Sequence, residues 1–177
     1  MINILKSRFF KKIATCPKDQ FLCRGCIAPD IASDPAGEKL KALILQRFGR
    51  SLSLREVDTG SCGACESEII ACNNPIYDLQ RFGINFVASP RHADALIVTG
   101  PVSKNMILAL QKTYASMPEP KFVVSLGDCA LDGGAFKDSY YTAAGVSKVL
   151  PVVLHIPGCP PSPTVIINSL LRFLSTP

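Results

Sequence analysis

The sequence of 177 residues lacks several features that would assign it to a class of protein at once. It contains no tryptophan, no run of about 18–20 apolar residues suited to a transmembrane helix, and no secretory signal in its basic first segment. It has no internal repeat and no low-complexity tract. With 47% hydrophobic and 19% charged residues, it is not intrinsically disordered. We therefore expect a folded domain that neither crosses a membrane nor is exported.

Acidic residues are scarce at the beginning of the chain. Residues 1–55 contain eleven Lys and Arg against four Asp and Glu, whereas residues 56–177 contain eight against ten. The larger part is thus near neutral, which argues against a nucleic-acid-binding protein. Apolar residues recur at helical spacing among the lysines and arginines of residues 1–15, which predicts a basic amphipathic helix that meets an acidic partner or a membrane face.

Apolar strand patterns alternate with helical patterns along most of the chain. Such alternation predicts an α/β fold in which a mainly parallel sheet lies between layers of helices. We expect an N-terminal extension of helix and loop over residues 1–49 and the folded domain over residues 50–177. The predicted strands are 52–57, 84–88, 95–99, 122–126 and 149–156, and the predicted helices are 35–48, 66–72, 102–117 and 164–174.

Eight cysteines are many for a chain of this length, and without an oxidising compartment they indicate metal or redox chemistry rather than disulfides. Cys62 and Cys65 form a Cys-x-x-Cys pair after the first predicted strand. Cys129 follows the fourth predicted strand and Cys159 follows the fifth. Because loops at the carboxyl ends of parallel strands converge at one edge of a sheet, these four thiols could meet in space.

Glycines flank these cysteines and would let the backbone approach a bound group and donate N–H groups to sulfur; they include Gly63, Gly127 and Gly158. Four converging thiolates bind zinc or an iron–sulfur cluster. One local pair with two distant single cysteines favours a 4Fe-4S cluster, since structural zinc usually takes two local pairs. A zinc-stapled scaffold without redox activity and four ordinary buried cysteines are the alternatives.

Four motifs, in this order along the chain, resemble those of one known family. They are DTGSCGACE at 58–66, SPRHAD at 89–94, GDC at 127–129 and PGCPP at 157–161. Over residues 50–174 the chain is similar to the small subunits of membrane-bound group 4 nickel–iron hydrogenases, such as formate hydrogenlyase. It is also similar to the homologous 20 kDa subunit of respiratory complex I.

This resemblance implies a flavodoxin-like three-layer domain that holds one 4Fe-4S cluster through Cys62, Cys65, Cys129 and Cys159. It implies an electron-transfer subunit of an oxidoreductase complex, beside a large subunit that is either nickel–iron-containing or like the 49 kDa subunit of complex I. A ferredoxin-like iron–sulfur subunit and membrane-arm subunits are the further expected partners. The expected location is peripheral, on the cytoplasmic face of a prokaryotic inner membrane.

Two positions distinguish the branches of this family. Subunits of complex I carry two adjacent cysteines where this chain has Cys62 and Cys65 separated by two residues, and they typically have Gln at the position of His92. Both positions favour the hydrogenase type. The alternative is a complex I-like quinone oxidoreductase, or a related assembly whose large subunit has lost nickel.

Charged residues beside the motifs are further candidates. Glu66 and Glu68 follow the cysteine pair at a predicted helix N-terminus, where simple capping would explain carboxylates. The Cys-x-Glu pattern of the family suggests proton transfer or pairing with a partner arginine instead. Arg91 and His92 precede a strand and would suit a solvated turn. The resemblance puts their loop near the cluster, where a cation would raise the reduction potential.

Three cysteines lie in the N-terminal extension, outside the region of resemblance: Cys16, Cys23 and Cys26. They would form a second cluster or zinc site if Cys72 or a partner chain supplied a fourth ligand. Chance or partial oxidation explains them equally well.

Overall fold

The computed structural model describes residues 34–175 of the chain. The predicted N-terminal amphipathic helix and Cys16, Cys23 and Cys26 lie outside the described residues. The α-helices of the described part are α1 (Asp34–Phe48), α2 (Ala64–Cys72), α3 (Ile107–Ala115), α4 (Asp128–Asp132) and α5 (Pro163–Ser175). Its strands are β1 (Leu52–Asp58), β2 (Ile84–Phe86), β3 (Ala95–Thr99), β4 (Phe122–Leu126) and β5 (Leu154–Ile156).

The strands form one parallel sheet in the order β2-β1-β3-β4-β5. This is the flavodoxin-like order, in which the chain changes direction across the sheet between β1 and β3. Thr99 at the end of β3 pairs with Asp58 of β1 and Leu126 of β4, and Leu126 pairs with Ile156 of β5. The carboxyl ends of these four strands are therefore level, and the loops after them leave the same edge of the sheet.

Helices cover both faces of the sheet, which explains why every residue of β3 is buried. Ala95 and Ile97 belong to the larger core cluster, which also contains apolar residues of α1, α2 and α5. Leu96 and Val98, on the opposite face of the strand, pack in a second cluster with Leu110 of α3. The predicted three-layer α/β fold with a parallel sheet is confirmed.

Helix α1, which lies in the N-terminal extension predicted from the sequence, belongs to the same compact unit as the sheet. Leu40 and Ile44 of α1 are buried in the larger core cluster, and the helix contacts α5. Periodicity identifies the apolar side of a helix but does not reveal which surface of the protein receives it.

The last strand is shorter than its apolar pattern predicted. β5 begins only at Leu154, although the apolar run begins at Val149. Pro151 has no backbone N–H to donate to a neighbouring strand, and Val146–Lys148 form a 3-10 turn. None of the helices among residues 34–175 is both long and apolar enough to pass through a bilayer.

Candidate metal centre

The four cysteines of the motifs line one cavity at the carboxyl edge of the sheet: Cys62, Cys65, Cys129 and Cys159. They come from three connections, which are the β1–α2 loop with the first turn of α2, helix α4 after β4, and the loop after β5. Gly100, Pro101 and Phe136 complete much of the wall. Cys62 and Cys159 are exposed, whereas Cys65 and Cys129 are half-buried. The cavity therefore opens on the side of Cys62 and Cys159.

The loops after β4 and β5 are tied to each other by reciprocal hydrogen bonds. The backbone N–H of Asp128 donates to the carbonyl of Gly158 at 3.0 Å, and the Gly158 N–H donates to Asp128 Oδ1 at 2.9 Å. Since Cys129 and Cys159 are the next residues in each loop, these bonds keep the two distant cysteines side by side.

The loop after β1 is shaped by its own polar residues. Asp58 Oδ1 accepts hydrogen bonds from the N–H groups of Gly60 and Ser61 at 2.8 and 2.7 Å, and Ser61 Oγ accepts one from Gly63 at 3.1 Å. These bonds bend the chain around Cys62 just before α2 begins.

Gly127 brings the backbone close to one of the thiols. Its φ of +85° is a conformation that side-chain-bearing residues rarely adopt, and a Cβ built on it would lie 2.8 Å from Cys65 Sγ. Of the other glycines singled out in the sequence, Gly158 lines the cavity, and Gly63 precedes α2 without lining it. Gly127 therefore provides space that the Cys65 sulfur occupies.

Two of the thiols in this site, Cys65 and Cys129, hold their protons tightly. Burial raises the pKa of Cys65 to about 12, with further contributions from the Glu66 carboxylate and the other three cysteines. Burial and the neighbouring Cys159 also raise the pKa of Cys129. Four thiolates this close repel one another, and a bound cation or cationic cluster offsets that repulsion and displaces the protons. This all-sulfur donor set fits an iron–sulfur cluster.

Among residues 34–175, no three His, Cys, Asp or Glu side chains are grouped so that they could hold a metal ion. The four cysteines line a shared cavity instead. A cubane is larger than a single ion, so its ligands also stand around a space.

Two polar groups near this edge are buried without a hydrogen-bond partner in the described part of the chain. Both carboxylate oxygens of Glu66 in α2 are inaccessible and unpaired, and so is Oγ1 of Thr99 at the end of β3. Burial, and next the Glu66 and Asp58 carboxylates, raise the pKa of Glu56. The sequence singles out Glu66 but not Thr99, because a threonine in an apolar strand is ordinary and only its lack of a partner distinguishes it.

The other charged candidates lie outside the cavity lining. Glu68 is half-buried on α2, while Arg91 and His92 are exposed in the 3-10 turn Pro90–His92. That turn precedes the amino end of β3, whereas the four cysteines follow the carboxyl ends of strands. Within residues 34–175, the side chains of Glu68, Arg91 and His92 therefore do not line the cavity in which a cluster was predicted.

Two further residues have structural roles. Cys72 at the end of α2 is fully buried in the larger core cluster, and burial raises its pKa to about 12. It packs there as an apolar side chain. His155 on the edge strand β5 is half-buried and lies 2.9 Å from Ser125 Oγ through its Nδ1.

The family model described as NADH ubiquinone oxidoreductase, 20 Kd subunit, matches residues 62–173. This match begins at the first cysteine of the site and extends into α5. The chain belongs to this family. The membership confirms the family resemblance found in the motifs, and it places the chain among the subunits of oxidoreductase complexes.

Individual relatives carry names from several such complexes. The chain is 41% identical over 137 residues to the probable membrane-bound hydrogenase subunit mbhJ of Pyrococcus furiosus, covering 77% of this chain and 82% of the relative. It is 45% identical over 141 residues to an NADH-quinone oxidoreductase subunit of Citrifermentans bemidjiense, covering 78% and 82%. Relatives from both predicted branches are thus similar to it at a comparable level.

A solved structure is similar over most of the domain. It is that of the membrane-bound sulfane sulfur reductase, an archaeal respiratory membrane complex, with a TM-score of 0.63 and 31% identity. The match covers 71% of this chain and 70% of that one.

Proposed function

We propose that this chain is the electron-transfer subunit of a membrane-associated hydrogenase-type complex. In this proposal Cys62, Cys65, Cys129 and Cys159 hold one 4Fe-4S cluster next to a catalytic partner chain. The observation that carries the proposal is that these four cysteines, from three separate connections, line a single cavity. A bound 4Fe-4S cluster accepts and releases single electrons, while the chemistry of the substrate belongs to the partner.

The residues of this chain then have distinct tasks. Cys65 and Cys129 are half-buried and would fix the cluster against the sheet, whereas the exposed Cys62 and Cys159 would lie at the surface that the partner covers. Phe136 in the cavity wall is 50% exposed and adds apolar area to that surface. A partner that covers these residues would exclude water and bring its own redox centre close.

Two observations support the hydrogenase type. The Cys-x-x-Cys spacing at Cys62 and Cys65 is the hydrogenase form within the family, and a probable membrane-bound hydrogenase subunit is 41% identical. The second candidate is a quinone-reducing complex, favoured by the 45% identity to a subunit of an NADH-quinone oxidoreductase. A related assembly that reduces sulfur compounds is favoured by the likeness to the membrane-bound sulfane sulfur reductase complex.

The rest of the assembly is part of the same proposal. We place the subunit on the cytoplasmic side of the membrane, with a hydrogenase-type large subunit, a ferredoxin-like subunit and membrane-arm subunits as partners. To test this, the intact complex is purified anaerobically through a tag on this chain. Nickel with hydrogen evolution supports the hydrogenase type. Quinone or sulfur reduction without nickel overturns it in favour of the second candidates.

The cluster itself is tested by metal analysis and low-temperature EPR on the same complex, with Cys159→Ser and, as the matched control, Cys72→Ala. We expect a reduced 4Fe-4S signal from this subunit, and Cys159→Ser should lower the iron content of the complex by about four atoms per copy of this chain. The signal should be lost in Cys159→Ser and retained in Cys72→Ala. Zinc in place of iron at this subunit would overturn the proposal and leave a structural scaffold.

The three N-terminal cysteines are assessed in the same experiment. A further fall of about four iron atoms per copy of this chain, when Cys16, Cys23 and Cys26 are replaced by serine, would indicate a second cluster there. An unchanged iron content would leave them without one.

A further inference from the structure

The loop after β3 forms part of the cavity wall and packs closely on the loop that carries Cys62. Gly100 and Pro101 of this loop line the cavity. A Cβ built on Gly100 would lie 2.7 Å from the backbone nitrogen of Ser61, so no side chain fits between the two loops. Because Cys62 directly follows Ser61, the placement of this wall affects the placement of a cluster ligand.

The hydroxyl of Thr59 holds both ends of this wall. Thr59 is fully buried, and its Oγ1 donates to the Thr99 carbonyl at 2.6 Å and accepts from the Val102 N–H at 3.2 Å. These two backbone groups stand immediately before and after the wall residues Gly100 and Pro101. Thr59 is not among the described residues that line the cavity, so its effect on the site passes through this segment.

The wall needs these bonds because its backbone is strained at Val102. The φ of Val102 is +58°, which is rare for any residue with a side chain and rarer for a β-branched one. Strained backbone persists only where its surroundings hold it. The Val102 carbonyl is also held, since it accepts from the Ala143 N–H at 2.8 Å. Without the Thr59 hydroxyl, the buried Val102 N–H would lose its partner and the wall could move away from the cavity.

We propose that Thr59 is a positioning residue of the cluster site. Its hydroxyl holds the wall formed by Gly100 and Pro101 against the Cys62 loop and so keeps water from that side of the cluster. This inference rests on the proposed function, since it requires the cluster. Water near a 4Fe-4S cluster stabilises its more negative, reduced state and raises the reduction potential. A fixed wall therefore keeps that potential low.

The test is an EPR-monitored redox titration of the purified complex with Thr59→Val, which removes the hydroxyl but keeps the shape of the side chain. We expect a higher midpoint potential, with the reduced-to-oxidised ratio at a fixed potential rising three- to tenfold, or ~30 to ~60 mV for one electron. Thr59→Ser keeps the hydroxyl and should retain the wild-type potential.

Asp94→Ala is the matched control. It removes the hydrogen bonds that Asp94 accepts from Arg50 and from the Ser53 N–H, at the amino end of the sheet and away from the cysteines. It should destabilise the fold without shifting the potential. The control thus separates general destabilisation from a displaced wall.

An unchanged potential in Thr59→Val would overturn the inference and leave the proposed function intact. A shift of the same size in Thr59→Ser would also overturn it, since the hydroxyl would not then be the cause. Absence of the cluster from the wild-type complex would instead overturn the proposed function, and this inference with it.

If the valine variant holds no cluster, Thr59→Ser and Thr59→Ala give the same comparison, since they differ only in the hydroxyl. A higher potential or a lost cluster in Thr59→Ala alone would support the inference. Equal potentials in these two variants, or loss of the cluster from both, would overturn it.

Discussion

The two ends of the parallel sheet differ in whether their buried polar groups have hydrogen-bond partners. At the amino end, Asp94 is 7% exposed and both of its oxygens are bonded. It accepts two hydrogen bonds from the Arg50 guanidinium, at 2.6 and 3.0 Å, and one from the Ser53 N–H at 2.9 Å. At the carboxyl end, the Glu66 carboxylate and the Thr99 hydroxyl are buried without a partner among residues 34–175.

This difference separates the part of the molecule that stabilises the fold from the part where we propose that a cluster binds. A network in which every buried polar atom is paired strengthens the native state, whereas unpaired groups and crowded thiols weaken it. Such unfavourable features concentrate at functional sites. The unpaired polar groups and crowded thiols at the carboxyl end therefore support the proposed cluster site.

The largest effect is expected from filling the space beside Cys65. Gly127→Ala places a Cβ 2.8 Å from Cys65 Sγ in a backbone conformation almost confined to glycine. We expect the EPR signal of this subunit's cluster to fall below about a tenth of the wild-type intensity, since the sulfur must move. Low-temperature EPR of the purified complex is the measurement.

Gly49→Ala is the control for this change, because Gly49 also has a positive φ of 65° but no atom within 4 Å of its Cβ position. It should lose about 1–2 kcal/mol of stability through backbone strain and keep its iron. Equal EPR signals from this subunit's cluster in the two variants would show that the contact with Cys65 is unimportant.

An intermediate effect, on stability alone, is expected from replacing Asp94 at the amino end of the sheet. Asp94→Ala leaves the Ser53 N–H unpaired and removes the partner of Arg50, although Arg50 can be rehydrated because its side chain is 58% exposed. We expect a loss of about 2 kcal/mol, or about 4–8 °C in Tm, with the EPR signal unchanged.

Glu119→Gln provides the comparison, since its salt bridge to Lys121 involves a carboxylate that is 75% exposed. The Lys121 side chain is only 10% exposed, but it keeps its hydrogen bond to the Met117 carbonyl, and an exposed carboxylate contributes little, so the Tm should stay at the wild-type value. Loss of the cluster in Asp94→Ala at a temperature where the protein is folded would contradict the separation of the two ends.

The smallest effect is a change in pH dependence. Burial, and next the Glu66 and Asp58 carboxylates, raise the pKa of Glu56 above its ordinary value of 4.5. The folded protein therefore binds this proton more tightly than the unfolded chain does. The resulting stabilisation is complete below pH 4.5 and is lost as the pH rises through the raised pKa.

Glu56→Gln should remove this loss, so that its Tm declines less than that of wild type between pH 4.5 and about 7. Thermal unfolding at a series of pH values measures the difference. Glu38→Gln, at an exposed position of α1, should follow the wild-type curve. If the Tm of Glu56→Gln and the Tm of wild type change with pH in the same way, the acidic groups of the carboxyl end do not destabilise the folded protein.

Much of the fold could be predicted from the sequence because local patterns report local structure. β3 and β4 have the predicted bounds, and α5 differs from its prediction by one residue at each end. Continuous apolar runs are typical of strands covered on both faces, so they indicated a parallel sheet between helices. The family membership was also determined by the sequence, since its motifs keep their order along the chain.

The contacts across the chain were decided only by the tertiary structure. Burial of Leu40 and Ile44 attaches α1 to the sheet, and the exposed turn containing Arg91 and His92 stays away from the cysteine cavity. The unpaired Thr99 hydroxyl has no signature in the sequence at all. The physical reason is that periodicity and motifs describe one segment at a time. Whether a buried group finds a partner depends on strand order and register, which bring distant segments together.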